Sequence, residues 1–268
     1  YRILPKPHYL IKDSKIPLAE IKTLNVFISQ NNFFNKESIK INEVFIKEAN
    51  FFLLSNDLKT LYKNSENKFS EKKIKINNSN IFFKDNLNEV ISIIKISKAF
   101  LFFNEKNLFN LFNLNGEAFN IPFKLNYQNT INSQKKIEIK APDLKLKIIN
   151  EFFKKNEDLN SGMNNISILN SSIKTKYSIK DQIVIFKSDD SRVYNSKIDY
   201  NGRLSINPFD LNLKINLYNY KISNLFRPNS IINEFIKSGL LFNENISVHT
   251  LVNIESTKKD KIFNEAKL

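Results

Sequence analysis

The feature that most constrains the fold of this chain is an alternation of apolar and polar residues, which restarts many times between Ile21 and Ile222. It is clearest in one stretch, where polar residues separate Leu211, Leu213, Ile215 and Leu217. Successive side chains of a β-strand point to opposite sides of the sheet, so this pattern puts the apolar side chains on one face. The chain is therefore predicted to form mostly antiparallel sheet with one apolar face.

Length and composition set wide limits. The 268 residues suffice for one large all-β domain or two ordinary ones. A hydrophobic fraction of 41%, with 24 Phe and 9 Tyr, is too high for a disordered chain. No stretch approaches the roughly 20 apolar residues of a membrane-spanning helix. The chain begins with Tyr1 rather than Met, so we expect a piece of a longer protein that an anchor or signal peptide could precede.

The formal charge of +14 raises the question of an anionic partner. Nearly all of the excess is Lys, whereas bidentate contacts to phosphates and bases favour Arg. Abundant Lys, Asn, Ile and Phe are typical of an AT-rich coding sequence, with attraction to anionic headgroups as the alternative source. Most aromatic residues fall in phase with Ile and Leu, which indicates a core or a groove rather than base stacking. We therefore expect no nucleic-acid partner.

Residue types that carry catalysis are scarce. The only histidines, His8 and His249, lie far apart in the sequence and lack carboxylate neighbours at metal-ligand spacing. Cysteine is absent, and four glycines provide no phosphate-binding loop and no nucleophile elbow. Asp189, Asp190 and Asp210 could bind a hard cation, but turn chemistry explains the first two better. The sequence predicts neither an enzyme nor a cofactor.

The pattern divides the chain into three parts. Residues 1–149 are predicted to be an N-terminal β-groove part with short helices, 150–165 a loop or linker around Gly162, and 166–268 a C-terminal β-meander with one helix. Asn201 and Gly202 are predicted to form a tight hairpin turn, because such turns need positive φ. The helices are expected over 57–62, 104–112 and 228–239.

Alternation alone leaves two interpretations of the apolar face. One is the core of a closed β-sandwich, a structural or interaction module that could bind protein by strand addition at a sheet edge. The other is an elongated antiparallel sheet, curved into an open groove with a few short helices, that holds acyl chains. Such binding is energetically feasible, because burial of acyl chain is worth about 0.8 kcal/mol per CH₂.

Two regions carry a family resemblance. Together they resemble the β-rich periplasmic part of AsmA-like proteins, the AsmA/TamB type, through patterns of strands and turns rather than a chemical site. The first comprises 74–85, 89–91, 98–99 and 108–123, and the second comprises 199–211, 229–232 and 240–246.

This resemblance implies a location and a function. It implies a protein of the periplasm, anchored in the inner membrane through an N-terminal segment that this chain lacks. It also implies a hydrophobic β-groove that binds phospholipid acyl chains and conducts phospholipid toward the outer membrane, or maintains that membrane, with contacts to other envelope proteins. The family has no catalytic residues to carry over.

The open-groove interpretation makes a residue-level prediction. The residues predicted to line the lipid groove are those with the clearest alternation. They are Ile74, Ile76, Leu144, Leu146, Leu211, Leu213, Ile215 and Leu217.

Overall fold

A computed structural model gives the fold. It describes residues 2–3, 8–10, 17–29, 41–54, 67–85, 88–130, 134–154, 160–181, 183–194, 196–206, 209–218, 230, 249–255 and 265–267. Most of them are in β-strands, and the one helical element among them is a 3-10 turn at Pro142–Leu144. The prediction of a mostly β, mostly antiparallel fold is therefore confirmed.

The chain forms two compact units, Tyr1–Asn132 and Ser133–Leu268. In the first unit, strands pair in the order β3 to β8, and both β1 and β2 pair with β3. All pairs are antiparallel except β4 with β5, whose connection is long enough for the crossover that parallel strands need. The strands are β1 (Arg2–Ile3), β2 (His8–Leu10), β3 (Pro17–Ile28), β4 (Ile41–Leu54), β5 (Lys73–Lys84), β6 (Val90–Asn104), β7 (Phe109–Ala118) and β8 (Ile121–Thr130).

Strands of the first unit shift their alternation by one residue along a common row. Glu48 and Asn78 both have positive φ, 55° and 46°, and lie opposite each other between β4 and β5. The β6–β7 register shifts at the same level, between Ile96 and Lys98. Buried residues therefore occur three apart at this row, as at Ile96 and Ala99, and one extra residue in each of β4, β5 and β6 keeps them on one face.

In the second unit, β9 to β12 pair in sequence, and β15 to β18 do the same. Both β13 and β14 pair with β12 and β15, so they act as one strand interrupted at Asp189 and Asp190. Among the described pairs of this unit, only β16 with β17 is parallel. The strands are β9 (Gln134–Ala141), β10 (Leu146–Lys154), β11 (Asn160–Ile168), β12 (Ser171–Lys180), β13 (Ile183–Ser188), β14 (Ser191–Val193), β15 (Ser196–Ile206), β16 (Phe209–Tyr218), β17 (His249–Glu255) and β18 (Glu265–Lys267).

The helix predicted over 104–112 is wrong. Asn104 pairs with Phe109 at the base of a β6–β7 hairpin. The Asn104 Oδ1 atom accepts hydrogen bonds from the backbone N–H groups of Lys106 and Asn107, at 3.1 and 3.2 Å. This side chain stabilises a turn where the apolar spacing suggested a helix. The helices predicted over 57–62 and 228–239 lie outside the described residues, apart from Ser230.

The hairpin turn predicted at Asn201 and Gly202 is also wrong, because both residues lie within β15. Gly202 pairs with Phe186 on one side and Leu213 on the other. A Cβ atom at Gly202 would lie 2.4 Å from Cζ of Phe186. The absence of a side chain therefore serves close packing of an aromatic ring rather than a turn.

The loop or linker predicted over 150–165 is instead mostly strand. Residues 150–154 belong to β10, residues 160–165 belong to β11, and the two strands pair from Leu146 with Ile168 to Lys154 with Asn160. The division between compact units falls between Asn132 and Ser133 rather than in this segment. The strand pairing continues through the polar segment because backbone hydrogen bonds do not depend on side-chain polarity.

Candidate functional site: the apolar face of each sheet

The first unit gathers its apolar side chains on one side, here called the first apolar face. Cross-strand pairing aligns Ile46, Ile76, Ala99, Leu114 and Leu125 in one row across β4 to β8. The buried cluster in this face is surrounded by apolar residues that remain partly exposed. The cluster is Ile76, Ile96, Ala99 and Leu114, and the surrounding residues are Ile46, Phe51, Ile74, Ile81, Leu101, Phe112, Phe123 and Leu125.

A short chain segment, residues 67–70, lies against one end of the first apolar face. Buried Asn110 holds it, since Oδ1 accepts from the Phe69 N–H at 2.8 Å and Nδ2 donates to the Asn67 carbonyl at 2.7 Å. The N–H of Phe103 donates to the Ser70 carbonyl at 2.8 Å. Asn110 therefore provides hydrogen bonds to the backbone of this segment at the margin of an otherwise apolar surface.

The second unit has a corresponding second apolar face. Ile198 and Leu217 are buried there and pack against Tyr200 and Ile215 among other partly buried residues. Isoleucines form a row across β9 to β12, from Ile139 through Ile148 and Ile166 to Ile173. Strand pairing through β13 and β15 places this row on the same side of the sheet as the apolar residues of β16.

The eight predicted groove residues fall into two sets. Ile74 and Ile76 lie on the first apolar face, and the other six belong to the second unit. Leu144 is not on a strand but at the end of the 3-10 turn, because Lys145 adopts a left-handed conformation before β10 begins. Three of the eight are buried, namely Ile76, Leu144 and Leu217. The five that are half-buried are Ile74, Leu146, Leu211, Leu213 and Ile215.

In each unit, the side opposite the apolar face carries ion pairs. Lys75 pairs with Glu43 and Lys95 with Glu117, each with 2.7 Å between Nζ and a carboxylate oxygen. Hydrogen bonds from Lys140 and then Lys147 lower the pKa of Glu138, although burial opposes this shift. Such exposed pairs add little stability. In the first unit this side also carries aromatic rings, with Phe52 stacked on Phe82 at 5.5 Å between ring centres and Lys73 Nζ 4.3 Å from the ring centre of Phe100, so it mixes charged and aromatic surface.

A group of polar side chains interrupts the second apolar face; we call it the polar patch, and it comprises Asn150, Asn160, Asn164, Thr175, Tyr177 and Tyr200. The Tyr177 hydroxyl donates to Oδ1 of Asn150 at 2.8 Å. The Tyr200 hydroxyl donates to the Lys174 carbonyl at 3.1 Å and lies 2.6 Å from Oγ1 of Thr175. Sequence reasoning missed this patch because residues 150–165 looked like a loop. The usable signal was the pair Asn160 and Asn164, which flank Gly162 at a spacing of two and so lie on one side of a strand.

The environment of Tyr177 predicts an alkaline effect on stability. Burial raises the pKa of Tyr177, and its hydrogen bond with Asn150 partly opposes the shift. The folded state therefore holds this proton more tightly than the unfolded state, whose pKa is near 10.0. We expect the free energy of unfolding to fall as the pH rises above about 10. Urea unfolding between about pH 8 and 11 should show a weaker fall for Tyr177→Phe, and an identical pH dependence would contradict the assignment.

The candidate catalytic and metal-binding residues lie on separate elements. His8 lies in β2 of the first unit and His249 in β17 of the second. Asp189 and Asp190 form ion pairs, with 3.0 Å between Asp189 and Lys176. In the part of the chain that the structure describes, no three His, Asp or Glu side chains are grouped so that they could hold a metal ion.

Comparison of the chain with protein-family models, curated proteins and solved structures finds no match. The resemblance to AsmA-like proteins thus rests on the sequence stretches quoted above. No helical element among the described residues has the length and apolar character that a bilayer crossing requires.

Proposed function

We propose that this chain is part of an AsmA-like envelope protein that binds phospholipid through its acyl chains and conducts it along the apolar faces of its sheets. One observation carries the proposal. On the second apolar face, Leu211, Leu213 and Ile215 alternate along β16 and each remains partly exposed. A closed sandwich would bury such residues fully, whereas a lipid-binding surface leaves them accessible to hydrocarbon.

The dimensions and energies suit acyl chains. The 10 residues of β16 span roughly 33 Å. This exceeds the roughly 15 Å occupied by the chains of one bilayer leaflet. Burial of about ten methylenes contributes about 8 kcal/mol, which is comparable with micromolar binding. The Lys-rich opposite side and sheet margins would leave headgroups in water beside cationic side chains.

The cellular setting belongs to the same proposal and comes from the family resemblance. The protein would reside in the periplasm, attached to the inner membrane through a segment outside this chain, and would support biogenesis or homeostasis of the outer membrane. Movement of lipid along the face would be passive, driven by differences in lipid concentration. Other envelope proteins would act as partners at its ends.

The test is lipid retention by the purified chain. We expect phospholipid to co-purify from bacterial membranes under mild conditions and to be detected by native mass spectrometry. Leu213→Asp and Ile215→Asp should each lower the lipid-bound fraction about tenfold, because a carboxylate would be desolvated against hydrocarbon. Ile185→Asp provides the matched control, since Ile185 is 62% exposed and lies on the opposite side of the sheet.

Circular dichroism of each variant separates loss of binding from loss of fold. Retained β-sheet signal with lost lipid in the two groove variants, but not in Ile185→Asp, would support the proposal. A folded wild-type protein that carries no phospholipid and takes up none from vesicles would contradict it. That result would favour the non-catalytic interaction module in envelope protein assembly.

A further inference from the structure

The polar patch lies where an acyl-binding surface would be expected to be uniformly apolar. Asn150 on β10 pairs with Asn164 on β11, which pairs with Thr175 on β12. The row continues on the same side to Tyr200 of β15, whose N–H donates to Oγ of Ser188 at 3.1 Å. Ile148, Ile166 and Ile173 flank this row on one side. On the other side the neighbouring row runs from Phe152 through Gly162 and Tyr177 to Phe186, and Asn160 lies beyond it.

The patch is held in a fixed arrangement. The Tyr177 ring lies over Gly162, where an added Cβ atom would be 2.3 Å from Cζ of the ring. This position lets the Tyr177 hydroxyl cross from β12 to Asn150 on β10. Glycine therefore permits an aromatic side chain to cover β11 and to occupy the Oδ1 atom of Asn150 with a hydrogen bond.

Two hydrogen-bond acceptors in the polar patch have no donor in the part of the chain that the structure describes. The Oδ1 atoms of Asn160 and Asn164 are buried, and no donor among the described residues hydrogen-bonds to either. An unpaired buried carbonyl destabilises a fold, so such groups call for an explanation. Both residues are on the same side of β11, on either side of Gly162. Rotation about χ2, which is broad for Asn, can turn either amide toward the open face.

We propose that the polar patch accepts a hydrogen bond from a neutral hydroxyl or amide N–H group carried by the bound lipid. This inference rests on the proposed function, because it assigns a preference to the same acyl-binding face. Unpaired amide oxygens have nothing to gain from a saturated hydrocarbon. A chain with a hydroxyl group, in contrast, would pair one of them and avoid burial of its own hydroxyl without a partner.

The experiment compares stearate with 12-hydroxystearate, two probes that differ by one hydroxyl, in displacement of a fluorescent fatty acid from the full chain. Wild type should bind 12-hydroxystearate roughly threefold to tenfold more tightly, as expected for one net hydrogen bond. The double variant Asn160→Leu with Asn164→Leu should reverse the preference, because the hydroxyl would then be buried unpaired. Asn165→Leu, an exposed neighbour on the opposite side, should retain the wild-type ratio.

The possible outcomes distinguish failure of the hydroxyl preference from failure of acyl binding. Two results would overturn this inference while acyl binding stands. Either both probes bind and the double variant keeps the wild-type ratio of affinities, or wild type binds stearate more tightly than 12-hydroxystearate. If neither probe binds the folded protein, the proposed function itself fails. The double variant should also resist urea better than wild type, since it removes two unpaired buried acceptors.

Discussion

Replacement of Ile96 by Asp is expected to destabilise the first unit strongly. Ile96 is 3% exposed and packs in the cluster of Ile76, Ala99 and Leu114. A carboxylate there would lose its hydration and find no cationic partner within the cluster, which costs about 3–5 kcal/mol. This is a large part of the roughly 5–15 kcal/mol by which a domain is stable. Urea unfolding followed by circular dichroism measures the change, because the chain has no Trp for fluorescence.

The same substitution at Ile93 is the matched control. Ile93 is on β6 as well, but it is 43% exposed and faces the opposite side of the sheet. Ile93→Asp should change the free energy of unfolding by no more than about 0.5 kcal/mol. Equal destabilisation by the two variants would mean that the first apolar face is not the core of this unit.

Gly162→Val is expected to destabilise the second unit by about 2–4 kcal/mol, through overpacking and a lost hydrogen bond. A Cβ atom at this position would lie 2.3 Å from the Tyr177 hydroxyl oxygen and 2.7 Å from the Glu151 carbonyl oxygen. The Tyr177 ring would have to move, and its bond to Asn150 would break. Val is otherwise favourable in strands, so intrinsic propensity predicts the opposite sign.

Two controls isolate the role of the ring. Met163→Val introduces the same side chain one residue away, on the opposite side, where Met163 is 44% exposed, and should be nearly neutral. In a Tyr177→Ala background, Gly162→Val should lose a substantial part of its cost, because the ring clash is gone. If the destabilisation by Gly162→Val were the same in the Tyr177→Ala background as in wild type, the Tyr177 ring would not be what excludes a side chain at Gly162.

Alternation predicted the local structure well wherever it was regular. Leu211 to Leu217 form one strand with their side chains on one face, as the sequence indicated. The same reasoning failed where one apolar spacing is compatible with both a helix and a hairpin. The apolar spacing near Asn104 fits a helix or a hairpin, and hydrogen bonds from the backbone to Asn104 Oδ1 favour the hairpin.

Polar residues and glycine within β10 and β11 serve contacts between strands rather than a loop. The prediction of a loop or linker over residues 150–165 rests on Gly162. Their polar side chains instead form part of the polar patch, and Gly162 makes room for Tyr177. A similar reason explains Gly202, which accommodates the ring of Phe186. Sequence position does not reveal which aromatic ring will lie over a glycine.

The sequence by itself determined that this protein is built of strands with one apolar side, since a period of two permits no other regular structure. Of the residues in and around the buried cluster of the first apolar face, it predicted Ile74 and Ile76. Only the tertiary structure decided which strands pair, where β4 with β5 and β16 with β17 run parallel, and which polar groups enter the apolar face. The physical reason is that alternation fixes the side of a residue within its own strand, whereas partner and register depend on contacts between residues distant in the chain.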